Sequence, residues 1–201
     1  MKTQNNFYEG QIRTSKNTSI NTSKLPAIYN QIDWEQFRGK TVFDYGCGKI
    51  ETVRNIMRFL EPYDITLIPY DKFNLPGDYN RDSLNKMYQA DVFICTSVLN
   101  VIDSDYIVQD IIREITYYAT KNNKISPKPI FFKVYEGDKS GQQKESQDDC
   151  WQRNWRTEDY ITFFNWYYTF PIKYKGFITI PSAKQYFKKE IRKWKKYYMI
   201  L

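Results

Sequence analysis

The chain has 201 residues, enough for one sizeable core, and its 41% hydrophobic and 26% charged content is ordinary for a soluble globular protein. It contains no histidine, which excludes Ser-His-Asp and Cys-His hydrolases and a histidine-ligated zinc centre. The net charge of +7 favours a polyanionic partner, and nine Lys/Arg against one acid lie between residues 171 and 201.

Residues 1–23 are rich in Asn, Thr, Ser and Lys, lack the apolar stretch of a signal peptide, and predict a loose polar arm. Residues 25–32 suit a short helix with Pro26 in its first turn, and 33–37 a second short turn. Thr41, Val42 and Phe43 open a buried strand that runs into Gly46, Cys47 and Gly48. Over 51–60, Val53, Ile56, Met57 and Leu60 recur at helical spacing. Strands follow at 65–68 and 91–96. The next helix is capped by Asp103 or Ser104 and carries one apolar face of Ile107, Val108, Ile111, Ile112, Ile115 and Ala119. Residues 129–135 predict a further strand, and 136–155 a long loop without periodicity. Thr157 is placed to cap a helix reaching 167. Segments 171–175 and 177–180, joined near Gly176, predict a hairpin. Ser182 and Gln185 fit a capping box that opens a last helix, with Tyr186, Phe187, Ile191, Trp194 and Tyr198 on one side and lysines elsewhere.

Strands alternating with amphipathic helices imply an α/β domain over 24–181, with a mostly parallel sheet and an antiparallel hairpin strand near its C-terminal end; 182–201 form a basic amphipathic helix. No apolar run approaches the roughly 20 residues of a membrane-spanning helix, so no membrane partner is expected. Three widely spaced cysteines, Cys47, Cys95 and Cys150, suit a reducing compartment, and the expected location is the cytoplasm.

Ligands of a parallel sheet bind beyond the carboxyl ends of its strands. Residues 44–49 lie at such an end, where glycines at 46 and 48 permit a tight turn and close backbone approach. Asp71 ends the next strand, where a carboxylate can accept both hydroxyls of a ribose.

The full string Val42-Phe-Asp-Tyr-Gly-Cys-Gly48 resembles motif I of the class I S-adenosylmethionine-dependent methyltransferases. The resemblance implies a Rossmann-like class I methyltransferase fold and S-adenosylmethionine as cofactor. It implies that Asp44, Tyr45, Gly46, Cys47 and Gly48 surround the methionine end and that Asp71 holds the ribose. Residues 91–102 then resemble the family's fourth strand and the loop after it, so that Thr96 and Ser97 border the transferring methyl and Asn100 is the candidate catalytic residue. The chain is similar to small phage-encoded methyltransferase-like proteins, and to methyltransferase-like proteins associated with DNA phosphorothioation, at Asp44-Tyr-Gly-Cys-Gly48 and Val98-Leu-Asn-Val-Ile102. The phage set is also similar at Val134-Tyr-Glu-Gly-Asp-Lys-Ser-Gly141 and Asp149-Cys-Trp-Gln152, so the likeness spans about residues 20 to 180. One position departs from the motif: Ile50 stands where the pattern has its third glycine, and a branched side chain there narrows the pocket.

Methyl transfer from a sulfonium needs alignment more than acid–base help, so a chain without histidine is compatible with it. Residues 96–100 replace the Asn/Asp-Pro-Pro-Tyr/Phe motif of adenine-amino methyltransferases, and Cys95 and Cys150 lack the context of a cytosine-C5 nucleophile. Both chemistries are disfavoured. Tyr135, Asp138, Lys139 and Trp151 are candidate substrate contacts on the sheet edge. Lys188, Lys189, Arg192 and Lys193 are candidate phosphate contacts of the last helix, against the plainer reading of a solvated face. The expected activity is methyl transfer to a nucleic acid or nucleotide. The alternatives are a binding protein that kept the fold without turnover, and a protein methyltransferase.

Overall fold

The computed structural model describes Thr14, Asn17 and residues 24–121, 128–145, 150–164, 172–174 and 176–179. The expected C-terminal helix, with Lys188, Lys189, Arg192 and Lys193, lies outside the described residues. So do Asp149 and the rest of the expected arm. Thr14, by contrast, is helical and buried, and its hydroxyl oxygen accepts from the Trp151 amide at 3.1 Å. That position is therefore no part of a loose arm.

The chain forms an α/β fold. Strands β1 (Thr41–Tyr45), β2 (Thr66–Tyr70), β3 (Val92–Thr96) and β4 (Ile130–Lys133) run parallel in the order β2-β1-β3-β4. The sheet continues antiparallel into β8 (Phe177–Thr179), which pairs with β7 (Ile172–Tyr174) across Gly176. Helices α1 (Ile50–Leu60), α2 (Gly77–Lys86) and α3 (Asp105–Thr120) follow β1, β2 and β3 in turn. Among the described residues no helix is long and apolar enough to cross a membrane.

Alternation along the strands builds a core on each face of the sheet. Phe43, Tyr45, Phe93, Cys95, Ile130 and Phe132 face α3, which answers with Val108, Ile111, Ile112, Ile115 and Ala119. Val42, Val92, Ile94 and Phe131 face the other way, onto Val53, Ile56 and Leu60 of α1 and the aromatic segment Tyr29, Trp34 and Phe37. Met57, expected on the apolar face, stays 49% exposed. The hydroxyl of Ser104, at the N-cap of α3, accepts from Ile107 N at 3.4 Å.

Several expectations are corrected. Residues 25–32 are not a helix. They form tight turns, with Tyr29 N donating to Pro26 O, and the Tyr29 carbonyl that a helix would need is taken by Trp34 Nε1 at 2.7 Å. Helix α2 escapes a search for apolar periodicity because its buried face is polar: Asn80 and Ser83. The Ser83 hydroxyl donates to Pro69 O at 2.6 Å, and Asn80 Nδ2 donates to Asp71 O at 2.8 Å. These bonds pin α2 against β2, the edge strand. Thr66 N bonds back toward β1, so the alternate residues Leu67 and Pro69 face outward. Pro69 has no N–H and its carbonyl is occupied, which leaves little of that edge open to strand addition.

The loop expected over 136–155 contains a hairpin, β5 (Gln143–Glu145) with β6 (Trp151–Arg153). Thr157 is not a cap. It is the first residue of a 3₁₀ turn (Thr157–Tyr160) that precedes the short helix α4 (Ile161–Phe164), and Asp159 accepts from the Arg156 amide at 2.9 Å.

Candidate functional site

The carboxyl ends of β1, β2, β3 and β4 form one edge, and the chain crosses from β2 to β3 over β1, so the topological switch point lies between β1 and β3. At the end of β1, pleat alternation turns Asp44 away from the α3 layer and toward the N-terminal segment. There Tyr29 Oη donates to Asp44 Oδ2 at 2.7 Å. Asp44 is fully buried, and its other oxygen, Oδ1, has no partner. Burial pushes its carboxyl up to about 7, the Tyr29 hydrogen bond pulls it down, and the nearby Asp71 charge raises it further.

The chain then turns through Gly46 (φ +84°) and Gly48 (φ +83°). Gly46 N and Cys47 N both donate to Tyr70 O, at 2.6 and 3.1 Å, which ties the turn to the end of β2. A Cβ on Gly46 would overlap Val98 Cγ2, so residue 46 is held at glycine by conformation and by contact. Asp71 Oδ2 accepts from Gly48 N at 2.9 Å. Its Oδ1 accepts from Phe73 N, Asn74 N and Asn74 Nδ2 at 3.0–3.1 Å. Burial raises the Asp71 carboxyl, and these donors oppose the rise. Ile50 opens α1 and packs against the core layer beneath it. Lys49, at the N-cap of α1, makes no side-chain cap hydrogen bond, and the N-terminal end of a helix favours an anionic group.

The other expected residues are placed unevenly. The ring of Tyr45 lies in the α3 layer beside Phe43 and Tyr70, and its hydroxyl donates to Glu114 at 3.1 Å. Cys47 is buried, and burial drives its thiol well above the usual range. Thr96 ends β3 and pairs with Lys133, while the exposed Ser97 takes a left-handed φ of 56° and donates its amide to Lys133 O at 2.7 Å. A non-glycine residue in that region costs about 1–3 kcal/mol, a cost found where a strand end must be re-aimed.

Asn100 is buried and committed. Its Nδ2 donates to Gln152 Oε1 at 3.2 Å, and its Oδ1 accepts from Tyr135 N at 3.5 Å. Gln152 Nε2 returns to Tyr135 O at 3.3 Å. Tyr135, Asp138 and Lys139 are exposed, with Asp138 Oδ1 accepting from Ser140 N and Lys139 paired to Glu136 at 3.2 Å. Trp151 is partly buried, and its Nε1 is a buried donor with no partner. Arg153 is fully buried. It donates to Ile102 O and Asp105, each at 2.5 Å, and lies over the Trp155 ring.

Sequence reasoning missed Tyr29, Asn80 and Arg153, and named Gln152 only within the Asp149–Gln152 segment of the loop, without its bonds to Asn100 and Tyr135. Tyr29, Gln152 and Arg153 act through hydrogen bonds to residues distant in the chain, and Asn80 through bonds to the backbone of Asp71 and Leu75, none of which leaves a periodic trace. Comparison with protein-family models, with curated proteins and with solved structures gives no match to the chain.

Proposed function

We propose that the chain is an S-adenosylmethionine-dependent methyltransferase acting on a nucleic acid or nucleotide in the cytoplasm. The observation that carries the reading is Asp44: a fully buried carboxylate at the end of β1 with one unpartnered oxygen, beside the turn through Gly46 and Gly48. An orphaned buried acceptor has a desolvation cost that a cationic ligand group removes. The motif resemblance and the antiparallel hairpin beyond β4 support the class I fold.

The residues fit the cofactor. Asp44 would meet its positive charge, Gly46 and Gly48 its methionine end, and Asp71 its ribose, because Asp71 Oδ2 holds one donor and a carboxylate oxygen can hold a second. The α1 amides would favour its carboxylate. When bound, the group supplies an electrophilic methyl. The chain's own residues orient and desolvate: Val98 closes over Gly46, and the strained Ser97 sets the direction of that loop. No base is required for a nitrogen nucleophile.

Isothermal titration with S-adenosylhomocysteine tests the reading. Binding is expected, and Asp44→Ala and Asp71→Ala each weaken it; no heat from the wild-type chain rejects it. Because Asp44 ionises near neutrality, affinity should rise with pH up to about 7 and then level, with a proton released on binding below that. A second reading, binding without turnover, is favoured by the engagement of Asn100, whose amide is occupied on both sides. Binding of S-adenosylhomocysteine without label transfer from S-adenosylmethionine to DNA, RNA or protein extracts would select it.

A further inference from the structure

We infer that Tyr135 is a stacking platform for a base of a single-stranded nucleic acid, held in place by the Asn100–Gln152 amide pair. The inference rests on the methyl-transfer reading for where the substrate lies.

Tyr135 is two residues beyond Lys133, the last residue of β4, on the edge that carries Gly46 and Asp71. The intervening loop bridges the two: Val98 touches Gly46, and Asn100 reaches Tyr135. Tyr135 is 62% exposed. The backbone beneath it is held on both sides, its N–H bonded to Asn100 and its carbonyl to Gln152. Those two amides also bond each other, and Gln152 Nε2 donates to Arg153 O at 2.7 Å. Asn100 itself is 2% exposed and Gln152 is partly buried, while Tyr135 is exposed. A tyrosine has two side-chain torsions, and fixing its backbone beforehand reduces the ordering cost of a contact to its face.

The chemistry of the edge chooses the partner. Lys72 and Lys139 stand exposed at its two ends, Lys139 paired with Glu136, and the excess positive charge of the chain is concentrated between residues 171 and 201. Phosphates answer the charge and bases answer the ring. Stacking on an aromatic is tolerant of sequence and needs the base out of a duplex, which is how single-stranded substrates are held. In this arrangement Asn100 is a positioning residue that acts through Tyr135.

Fluorescence anisotropy with a labelled single-stranded oligonucleotide of about 12 nucleotides, in DNA and RNA versions, tests the inference on the full chain. Tyr135→Ala is expected to weaken binding by about tenfold, while Tyr135→Phe and Tyr135→Trp stay within about twofold. Tyr117→Ala, an exposed tyrosine in the last turn of α3, should change nothing. Asn100→Ala should weaken binding by a smaller factor, and the double variant with Tyr135→Ala should bind no worse than Tyr135→Ala alone. Should Tyr135→Ala lower the melting temperature, Tyr135→Leu, which keeps bulk and loses the π face, decides. The two nucleic-acid versions show which sugar is preferred. The inference is overturned if Tyr135→Ala binds as wild type, or if wild type binds neither oligonucleotide. Titration of the same variants with S-adenosylhomocysteine separates the two claims: affinity intact with no oligonucleotide effect removes the platform alone, and no affinity in wild type removes the cofactor reading.

Discussion

The two halves of the carboxyl edge are built on opposite principles. At β1 and β2 the functional groups are two buried carboxylates, close enough for the Asp71 charge to raise the Asp44 carboxyl, and one oxygen of Asp44 has no partner. At β3 and β4 the groups are neutral amides, Asn100 and Gln152, bonded to each other and to the Tyr135 backbone. Unused bonding capacity in a dry site costs stability and is relieved by a ligand. Amides bonded to each other and to the backbone offer less to a ligand, but they fix whatever stands on them. The first half is arranged to bind and the second to position.

The largest effect should come from Asp44→Asn. Its folded carboxyl titrates near 7 against an ordinary 3.8, so the folded state binds more protons than the unfolded chain between those values. The contribution of Asp44 is therefore most favourable below pH 3.8 and declines as pH rises through about 7. Asparagine keeps an acceptor for Tyr29 and removes the buried charge, so at pH 8 the variant should be more stable by up to about 4 kcal/mol. The same change should weaken S-adenosylhomocysteine binding about 10- to 100-fold. Chemical denaturation at pH 5 and pH 8 checks it: a gain that fails to grow with pH would mean the charge is not what Asp44 costs.

Gly46→Ala is expected to cost about 3 kcal/mol, from the left-handed backbone and from overlap with Val98. Adding Val98→Ala should recover part of that loss. A neutral Gly46→Ala would show that the β1 turn is softer than the β4 side.

Glu136 sharpens the comparison from the other half. Its Oε1 accepts from the Thr157 hydroxyl and amide, and Lys139 lies against Oε2, which together hold its carboxyl down to about 2. That stabilisation is present above pH 4.5 and is lost as pH falls toward 2, the reverse of Asp44. Glu136→Gln should lower stability at pH 7 by about 1 kcal/mol and flatten the acid limb of the pH–stability curve. The smallest effect belongs to Asn100→Ala: about 1 kcal/mol in stability and no change in S-adenosylhomocysteine affinity. A large loss of affinity would move Asn100 back to the cofactor side.

Local regularity made much of the fold legible. Buried strands at 41–45 and 91–96, the apolar faces of α1 and α3 and the hairpin about Gly176 all follow from periodicity and turn chemistry that neighbouring residues carry among themselves. What stayed hidden was polar: α2 faces the sheet with Asn80 and Ser83, and the hairpin in 136–155 ends on buried Arg153, followed by buried Asn154. Polar side chains become a core face only when a specific partner is present, and apolar periodicity does not show that partner.

The candidate site divides the same way. The sequence by itself determined that a glycine turn follows Asp44 and that Asp71 ends the next strand, because a tight turn and a strand end are local matters of backbone conformation. Only the tertiary structure decided what those groups are: Tyr29 takes one oxygen of Asp44, burial lifts the carboxyl, Gly48 holds Asp71, and Asn100 turns inward to support Tyr135. Hydrogen-bond saturation and desolvation depend on which distant atoms arrive within about 3 Å, and no local pattern encodes that distance.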